Sequence, residues 1–539
     1  MPTDTTDMLE MTEMAGLASG NPDAGAGPES PPSRTSGKRR VIKNTLYMGG
    51  AQVVSLLVSL VAFPLFLKHY GTSIYGLFLL VSTVASVITL FDFGTTSIIT
   101  KEVARHLALD DEEGLSRTVF SSFVFYGVLA LLTAAVFVFI GCYAHTFFSV
   151  TVVQGQLLRL MFFVQAGVQL LTFAVWPARP ILAGFQRYGI LAVGNILNVI
   201  GSTLAIIFVL VTGRGPLVLV ALSGLFSVAV AGVLMVALLK TLPRHPLSLR
   251  AVKAGPQIRA LLKLGLPLFL VQMTGFLIRQ QSDKLIIGVF LSAAAVSLYE
   301  IPSKLFSLAS QIVDTSTGSL LPYLSGLSAR GEHERLQNTF IYGSRYLSLL
   351  ICPLLGLIFI MAPTFVHIWL GPQFAVAGTI ARILLAVPLL WPFTAIGDSI
   401  LISMDKMSKW MPLALLAGVI SIVLSLCLVR PFGLTGVAAA SFFGGFLELV
   451  FYIPLFFHLT KTSFSGWLKS ALVPGLISIA LCWCLSLLAQ RVFVIPSLWI
   501  LAALSAAVLI IVWLVVWLII MNRSERAMIL QWVGRSKED

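Results

Sequence analysis

Charge is what this sequence has least of. Asp, Glu, Lys and Arg make up 11% of its 539 residues, against 57% apolar residues and a mean hydropathy of +0.94. A soluble core of this size needs no such hydrophobicity, so the chain reads as an all-α polytopic membrane protein. Cysteine is scarce as well. The five present (Cys142, Cys352, Cys427, Cys482 and Cys484) show no C-x-x-C or Cys/His spacing and read as small apolar residues packed between helices. The seven histidines fall in or near loops without ligand spacing, so no metal and no cofactor is expected. Acids are missing from the longest connections on the cation-poor side, 141–156 and 363–375. A membrane glycan polymerase or transferase needs an acidic or basic site on a substantial outer loop, so an enzyme of that class is disfavoured. The net charge of +13 and pI near 9.7 suggest nucleic acid at first sight. The basic residues instead lie between apolar spans, with no aromatic-basic motif beside them, which excludes that partner.

What the chain does have is apolar runs. Hydropathy marks fourteen, at about 45–67, 74–99, 118–141, 157–178, 190–212, 216–239, 264–291, 297–324, 343–363, 376–402, 410–430, 434–457, 469–490 and 496–521. Each is close to the roughly 20 residues that cross a hydrocarbon core of about 30 Å. Pro64, Pro177, Pro267, Pro302, Pro388 and Pro392 are expected to kink them. Residues 1–40 hold no apolar run and read as a disordered cytoplasmic tail, not a signal peptide. Most of the 36 Lys and Arg fall in every second connection, from the cluster before the first run to Arg523, Arg526, Arg535 and Lys537. The opposite connections hold Lys68, Arg214, Arg430 and Arg491. The asymmetry places both termini in the cytoplasm.

The sequence also repeats itself at an offset of about 220 residues. Gln52 matches Gln272, Tyr75 matches Tyr299, Trp176-Pro177 matches Trp391-Pro392, and Gly215 matches Gly433. The order of these matches implies two six-helix lobes, 41–240 and 264–460, joined by a basic cytoplasmic linker, 241–263. An accessory helix pair, 461–521, and a cytoplasmic tail, 522–539, follow. Repeats of this kind place a substrate site between the lobes.

One run is out of character. Residues 264–291 carry Arg279, Asp283 and Lys284. Each charge costs about 2.5–3.5 kcal/mol at a helix centre, and aliphatic residues at about −0.3 to −0.6 kcal/mol each barely recover it. Such a helix is marginal in lipid, so its charged face belongs in a bundle or a water-filled cavity, the wall of a transport pathway. Arg279 and Asp283 are four apart, share a face and can pair. Glu300 and Lys304 repeat that spacing at the start of the next span. Asp92, Asp314 and Glu448 lie at depths where an acid must be protonated, paired or hydrated. They are candidates for counter-charges or for proton or cation coupling.

Four patterns then fit a known family: KHYGTSIYGLF (68–78), LFDFGTTSIITKEVAR (90–105), YLSGLSARGEHERLQNTF (323–340) and HIWLGPQFAVAGTIARILL (367–385). They resemble the polysaccharide-transport family, the O-antigen and exopolysaccharide flippases of the multidrug/oligosaccharidyl-lipid/polysaccharide exporter superfamily. The likeness runs over about residues 41–460. It implies a V-shaped bundle in the bacterial cytoplasmic membrane that moves an undecaprenyl-diphosphate-linked oligosaccharide outward by alternating access. Lipopolysaccharide or exopolysaccharide synthesis is the implied setting, with a glycan polymerase and other polysaccharide-assembly proteins as partners. One departure is the lack of Lys or Arg in the first span, where related flippases carry basic residues, so cationic work is expected mainly in the second lobe.

On this reading Arg279, Lys284 and Lys304 hold the diphosphate, the guanidinium fork giving two parallel hydrogen bonds. Gln52, Gln272, Gln280 and Gln281 contact sugars, and Asp283 orients Arg279 or yields its place to the ligand. Two plainer readings stand beside it: Arg279 and Asp283 as a neutral structural pair, and Lys304 snorkelling to the interface. The rival functions are a drug/cation antiporter of the same superfamily, which needs an acid-dominated cavity, and the membrane polymerase or transferase above.

Overall fold

The computed structural model describes residues 62–87, 92, 94–242, 273, 281–317 and 320–527. Among these residues there is no strand, and ten helices are long and apolar enough to cross a membrane. The protein is a multi-pass, all-α membrane protein. Its first lobe comprises α1 (Ala62–Val87), α2 (Thr95–Ala108), α3 (Glu112–Cys142), α4 (Val152–Val175), α5 (Ala178–Gly184), α6 (Tyr188–Thr212) and α7 (Pro216–Thr241). The second comprises α8 (Gln281–Phe290), α9 (Ala293–Thr317), α10 (Leu321–Ala329), α11 (His333–Leu370), α12 (Ala375–Leu385), α13 (Ala395–Ser403) and α14 (Met407–Thr460). A final pair, α15 (Val473–Val492) and α16 (Leu498–Val515), follows.

Two of the ten long helices double back. In α1 the Phe63 and Tyr75 rings are 5.2 Å apart, whereas twelve residues of straight helix would separate them by about 18 Å. Gly71, at φ 74°, makes the reversal. In α14 Ser421 donates to the Ala440 carbonyl at 3.3 Å, and the reversal falls at Gly433, φ 58° and ψ −137°. Both turns need left-handed backbone, which glycine adopts without a Cβ penalty.

Proline sets the other interruptions. Pro177 starts α5 directly after the end of α4, and Pro388 and Pro392 lie in the 3-10 stretch Pro388–Phe393 between α12 and α13. Pro302 stays inside a continuous α9. Trp176-Pro177 and Trp391-Pro392, matched in the repeat, thus both sit where a membrane helix breaks. Length and composition give ten spans among the described residues rather than fourteen: α1 and α14 each count once although they double back, 45–61 and, apart from residue 273, 264–280 lie outside the described residues, and α9 carries Glu300, Lys304 and Asp314.

Contacts gather Gly71, residues 143–151, 213–215, 291–292 and 371–374, and Gly433 at one end of the bundle: Tyr70 donates to the Val209 and Arg214 carbonyls, Ser149 to the Val289 carbonyl and Ser297 to the Thr72 carbonyl, Phe63 stacks on Trp369, and Arg430 lies over the Phe290 ring. This is the cation-poor end. At the opposite, cation-rich end, Asp111 caps α3, accepting from the Gly114 N–H at 2.8 Å and from His106 at 2.8 Å. The Gly114 amide and His106 hold its carboxyl below the usual range. Two of the cysteines, Cys352 and Cys482, are packed between helices as expected; Cys142, Cys427 and Cys484 are exposed, and all five are free.

The accessory pair is docked on α11, the helix with the most buried apolar window, 61% against 17% for the last span. Trp483 and Trp513 donate to the Gly356 and Leu350 carbonyls of α11 at 3.1 and 3.2 Å. Arg345 completes the attachment at the cation-rich end. Its guanidinium holds Glu525 at 2.8 and 3.2 Å and donates to the Ser470 and Ile520 carbonyls at 2.8 and 3.2 Å. Both side chains of the pair are buried. Lysine keeps the charge but not the fork. Arg345→Lys is therefore expected to lower stability by about 1–3 kcal/mol, read as a fall in the unfolding temperature of the purified protein. An unchanged temperature contradicts the role given to Arg345.

Candidate functional site

Of the candidate residues, Arg279, Gln52, Gln272 and Gln280 lie outside the described residues, as does the side chain of Gln281. The remainder fall into three places rather than one.

The first is the cation-poor end of the second lobe. Asp283 on α8 is 2% exposed and accepts from the Tyr299 hydroxyl at 2.7 Å and the Ser441 hydroxyl at 2.5 Å, so one carboxylate ties α8, α9 and α14. One residue further on each helix, Lys284 pairs with Glu300 at 2.6 Å, and Lys304 reaches the other Glu300 oxygen at 3.5 Å. All three side chains are largely buried. Two ammonium groups thus share one carboxylate. The Glu300–Lys304 spacing of four is the expected one. Snorkelling does not describe Lys304, whose ammonium lies over the Phe63 ring of the first lobe at 5.8 Å.

Here the lobes meet. Phe63 stacks on Trp369 at 5.4 Å, Ser297 donates to the Thr72 carbonyl at 2.6 Å, and Ser149 donates to the Gly288 and Val289 carbonyls at 3.1 and 2.7 Å. Gly76 lies so close to the Ala293 carbonyl that an added Cβ would fall 1.8 Å from its oxygen. These contacts join α1 and the 143–151 connection to the α8–α9 turn, closing the bundle at its cation-poor end.

The second place is the other half of the second lobe. Asp314, ten residues beyond Lys304, lies about 15 Å further along α9. It is exposed, as is Asp398 on α13, and the two carboxylates are near enough to interact. Tyr452 donates to Asp398, and Glu448, half-buried, lies one turn before Tyr452 on α14. Asp314 and Glu448 therefore do not join the lysine trio.

The third place is inside the first lobe. Asp92 is buried, accepting from the Tyr126 hydroxyl and from Thr95 at 2.8 Å. Thr96, 3.2 Å from the Tyr126 hydroxyl, also accepts from the Trp176 indole at 3.4 Å. Trp176 borders a cavity of about 640 Å³ walled by α1, α4, α6 and α7. Polar side chains line much of it: Ser82, Gln165, Gln169, Asn198, Ser227 and Arg179. Sequence reasoning missed this cavity, because Arg179 follows a Trp-Pro break and reads as one more loop cation. The Trp-Pro pair, repeated in the second lobe, was the available signal.

The polysaccharide biosynthesis protein family model matches residues 41–328, more than half of the chain. The chain belongs to this family. Its fold is shared with solved transporters of the exporter superfamily. The lipid II flippase MurJ in an inward closed conformation superposes with a TM-score of 0.64 at 16% identity, over 87% of this chain and 98% of that one. An inward-facing multidrug resistance MATE family transporter gives 0.61 at 14% identity, over 78% and 99%. An outward-facing MATE family transporter gives 0.53 at 16% identity, over 78% and 96%. No curated protein sequence matches the chain. The chain thus shares the fold of these proteins over most of its length.

Proposed function

We propose that this protein is a flippase that carries an undecaprenyl-diphosphate-linked oligosaccharide across the bacterial cytoplasmic membrane for O-antigen or exopolysaccharide synthesis. The observation that carries the reading is a polar cavity within a membrane bundle of the polysaccharide biosynthesis family, its lobes closed against each other at the cation-poor end. Sugar hydroxyls need hydrogen-bonding walls inside a hydrocarbon barrier, and the cavity supplies them. The Lys/Arg asymmetry makes the cation-rich end cytoplasmic. On that orientation the bundle is closed outward and accepts cargo from inside, in keeping with the inward-facing MATE family transporter on which it superposes.

Transport then consists of parting the cation-poor contacts while the opposite end closes. The diphosphate leaves past Lys284 and Lys304, which share the Glu300 carboxylate. Arg279 is the remaining anchor of that path, with Gln52, Gln272 and Gln280 as sugar contacts, and a glycan polymerase takes the cargo on the outer side. Depleting the protein from its host tests the reading: lipid-linked glycan should accumulate in the inner leaflet while surface polysaccharide falls. Undiminished surface polysaccharide contradicts it.

A second reading rests on Asp314, Asp398 and Glu448. Three acids on three helices suit cation binding, as a drug/cation antiporter of the same superfamily requires. Drug efflux that depends on these acids, with glycan export intact after depletion, would favour it.

Orientation has its own test. With Cys142, Cys427 and Cys484 replaced by Ser, a cysteine at Phe432 should react with an impermeant reagent in sealed cells. One at Lys253 should react only after permeabilisation. Reversed labelling inverts the topology.

A further inference from the structure

The first-lobe cavity holds a cation that none of the preceding roles uses. Arg179 is half-buried at the start of α5, where the Pro177 break turns it toward the cavity wall. Its guanidinium donates to the Asn195 side-chain oxygen at 3.2 Å and lies 5.5 Å from the Trp176 ring centre. A neutral amide and an indole fix its position without cancelling its charge. Among the described residues no carboxylate lies within ion-pair distance of it. Asp92, the buried acid of this lobe, is engaged by Tyr126 and Thr95 and is separated from Arg179 by Thr96 and Trp176. The positive charge therefore faces a cavity with its two-pronged donor pre-oriented, the arrangement that selects carboxylate or phosphate.

The rest of the wall narrows the ligand class. Gln165, Gln169 and Asn198 bring amides, Ser227 brings a hydroxyl held by Asn198 at 3.3 Å, and Trp176 brings an aromatic edge. Amides beside an indole suit the alternating polar and apolar surfaces of a sugar ring. The volume of about 640 Å³ lies within the range of ligand pockets. We infer, on the basis of the flippase reading, that this cavity is a saccharide site whose Arg179 binds an anionic group of the cargo. That group is the carboxylate of an acidic sugar or the diphosphate that joins glycan to lipid. The first lobe then shares the cationic work that the sequence assigned mainly to the second.

The test uses full-length protein in nanodiscs, with the three exposed cysteines replaced by Ser and a reporter Ser223→Cys in the cavity wall. The rate of thiol labelling is followed with a glucuronate-containing disaccharide, with its uncharged glucose counterpart and with inorganic pyrophosphate. At least one anionic probe should slow labelling, and the uncharged disaccharide should not. Arg179→Gln should raise the half-protecting concentration about tenfold or more, as loss of a charged hydrogen bond requires, and Arg179→Lys should restore part of it. Protection by the acidic disaccharide alone assigns a sugar carboxylate, and by pyrophosphate alone the diphosphate. No protection by either anion, or protection unchanged in a monodisperse Arg179→Gln protein, overturns the inference. Transport of lipid-linked glycan by the unmodified protein is measured in parallel. Movement without protection removes this site and leaves the flippase reading, whereas protection without movement does the reverse.

Discussion

Glu300→Gln is expected to destabilise the protein by about 3–5 kcal/mol, the usual cost of stranding one side of a buried ion pair. The reason is local. Glu300 lies between Lys284 and Lys304, at 2.6 and 3.5 Å. Without its charge, two largely buried ammonium groups face each other across one uncharged amide. The strain falls at the lobe contact, because Lys304 also lies over Phe63. The closed cation-poor end should therefore loosen before the lobes unfold. A cysteine at Thr72 should react faster with an impermeant thiol reagent in the variant than in the parent. Glu300→Asp keeps the charge on a shorter arm and should recover part of the loss. Unchanged unfolding temperature together with unchanged Thr72 labelling would show that the trio does not hold the lobes.

Fastening the same end should abolish transport completely. Ser297 and Thr72 are joined by a 2.6 Å hydrogen bond across the lobes, so cysteines at the two positions lie within reach of a short bifunctional thiol reagent. Bridged in a background without the exposed native cysteines, the lobes cannot part where cargo leaves. Transport should fall to background and return when a reducible bridge is cleaved. Each single cysteine treated with the same reagent controls for modification without bridging. Full transport by the bridged protein would mean that the cargo leaves by another route or that this end need not open.

Much of this fold was legible in the sequence because membrane helices are written in local terms. Apolar length sets the spans, Pro177, Pro388 and Pro392 mark breaks, and the Glu300–Lys304 contact follows from a four-residue spacing. The internal repeat was legible for the same reason, since Trp-Pro falls on a helix break in each lobe. Contacts made by distant residues were not. Asp283 finds Ser441, 158 residues away, and Arg345 finds Glu525, 180 residues away. No periodicity within a single span signals either. Arg345 and Arg179 both looked like cytoplasmic loop cations, because the positive-inside pattern that orients the chain also hides a basic residue that has turned inward. Depth misled in the opposite sense for Asp314, whose place on α9 suggested the lysines but lies about 15 Å beyond Lys304.

The central claim is movement of cargo, and vesicles containing the purified protein measure it most directly. A fluorescent undecaprenyl-diphosphate-linked oligosaccharide is loaded in both leaflets, and an impermeant enzyme or quencher attacks the sugar from outside. Empty vesicles should stop at about half the signal, set by the outer leaflet. Vesicles with the protein should proceed beyond that plateau, and those with the Thr72–Ser297 bridge should stop at it until the bridge is reduced. A plateau identical in protein-containing and empty vesicles, with the protein folded and inserted, would contradict the account.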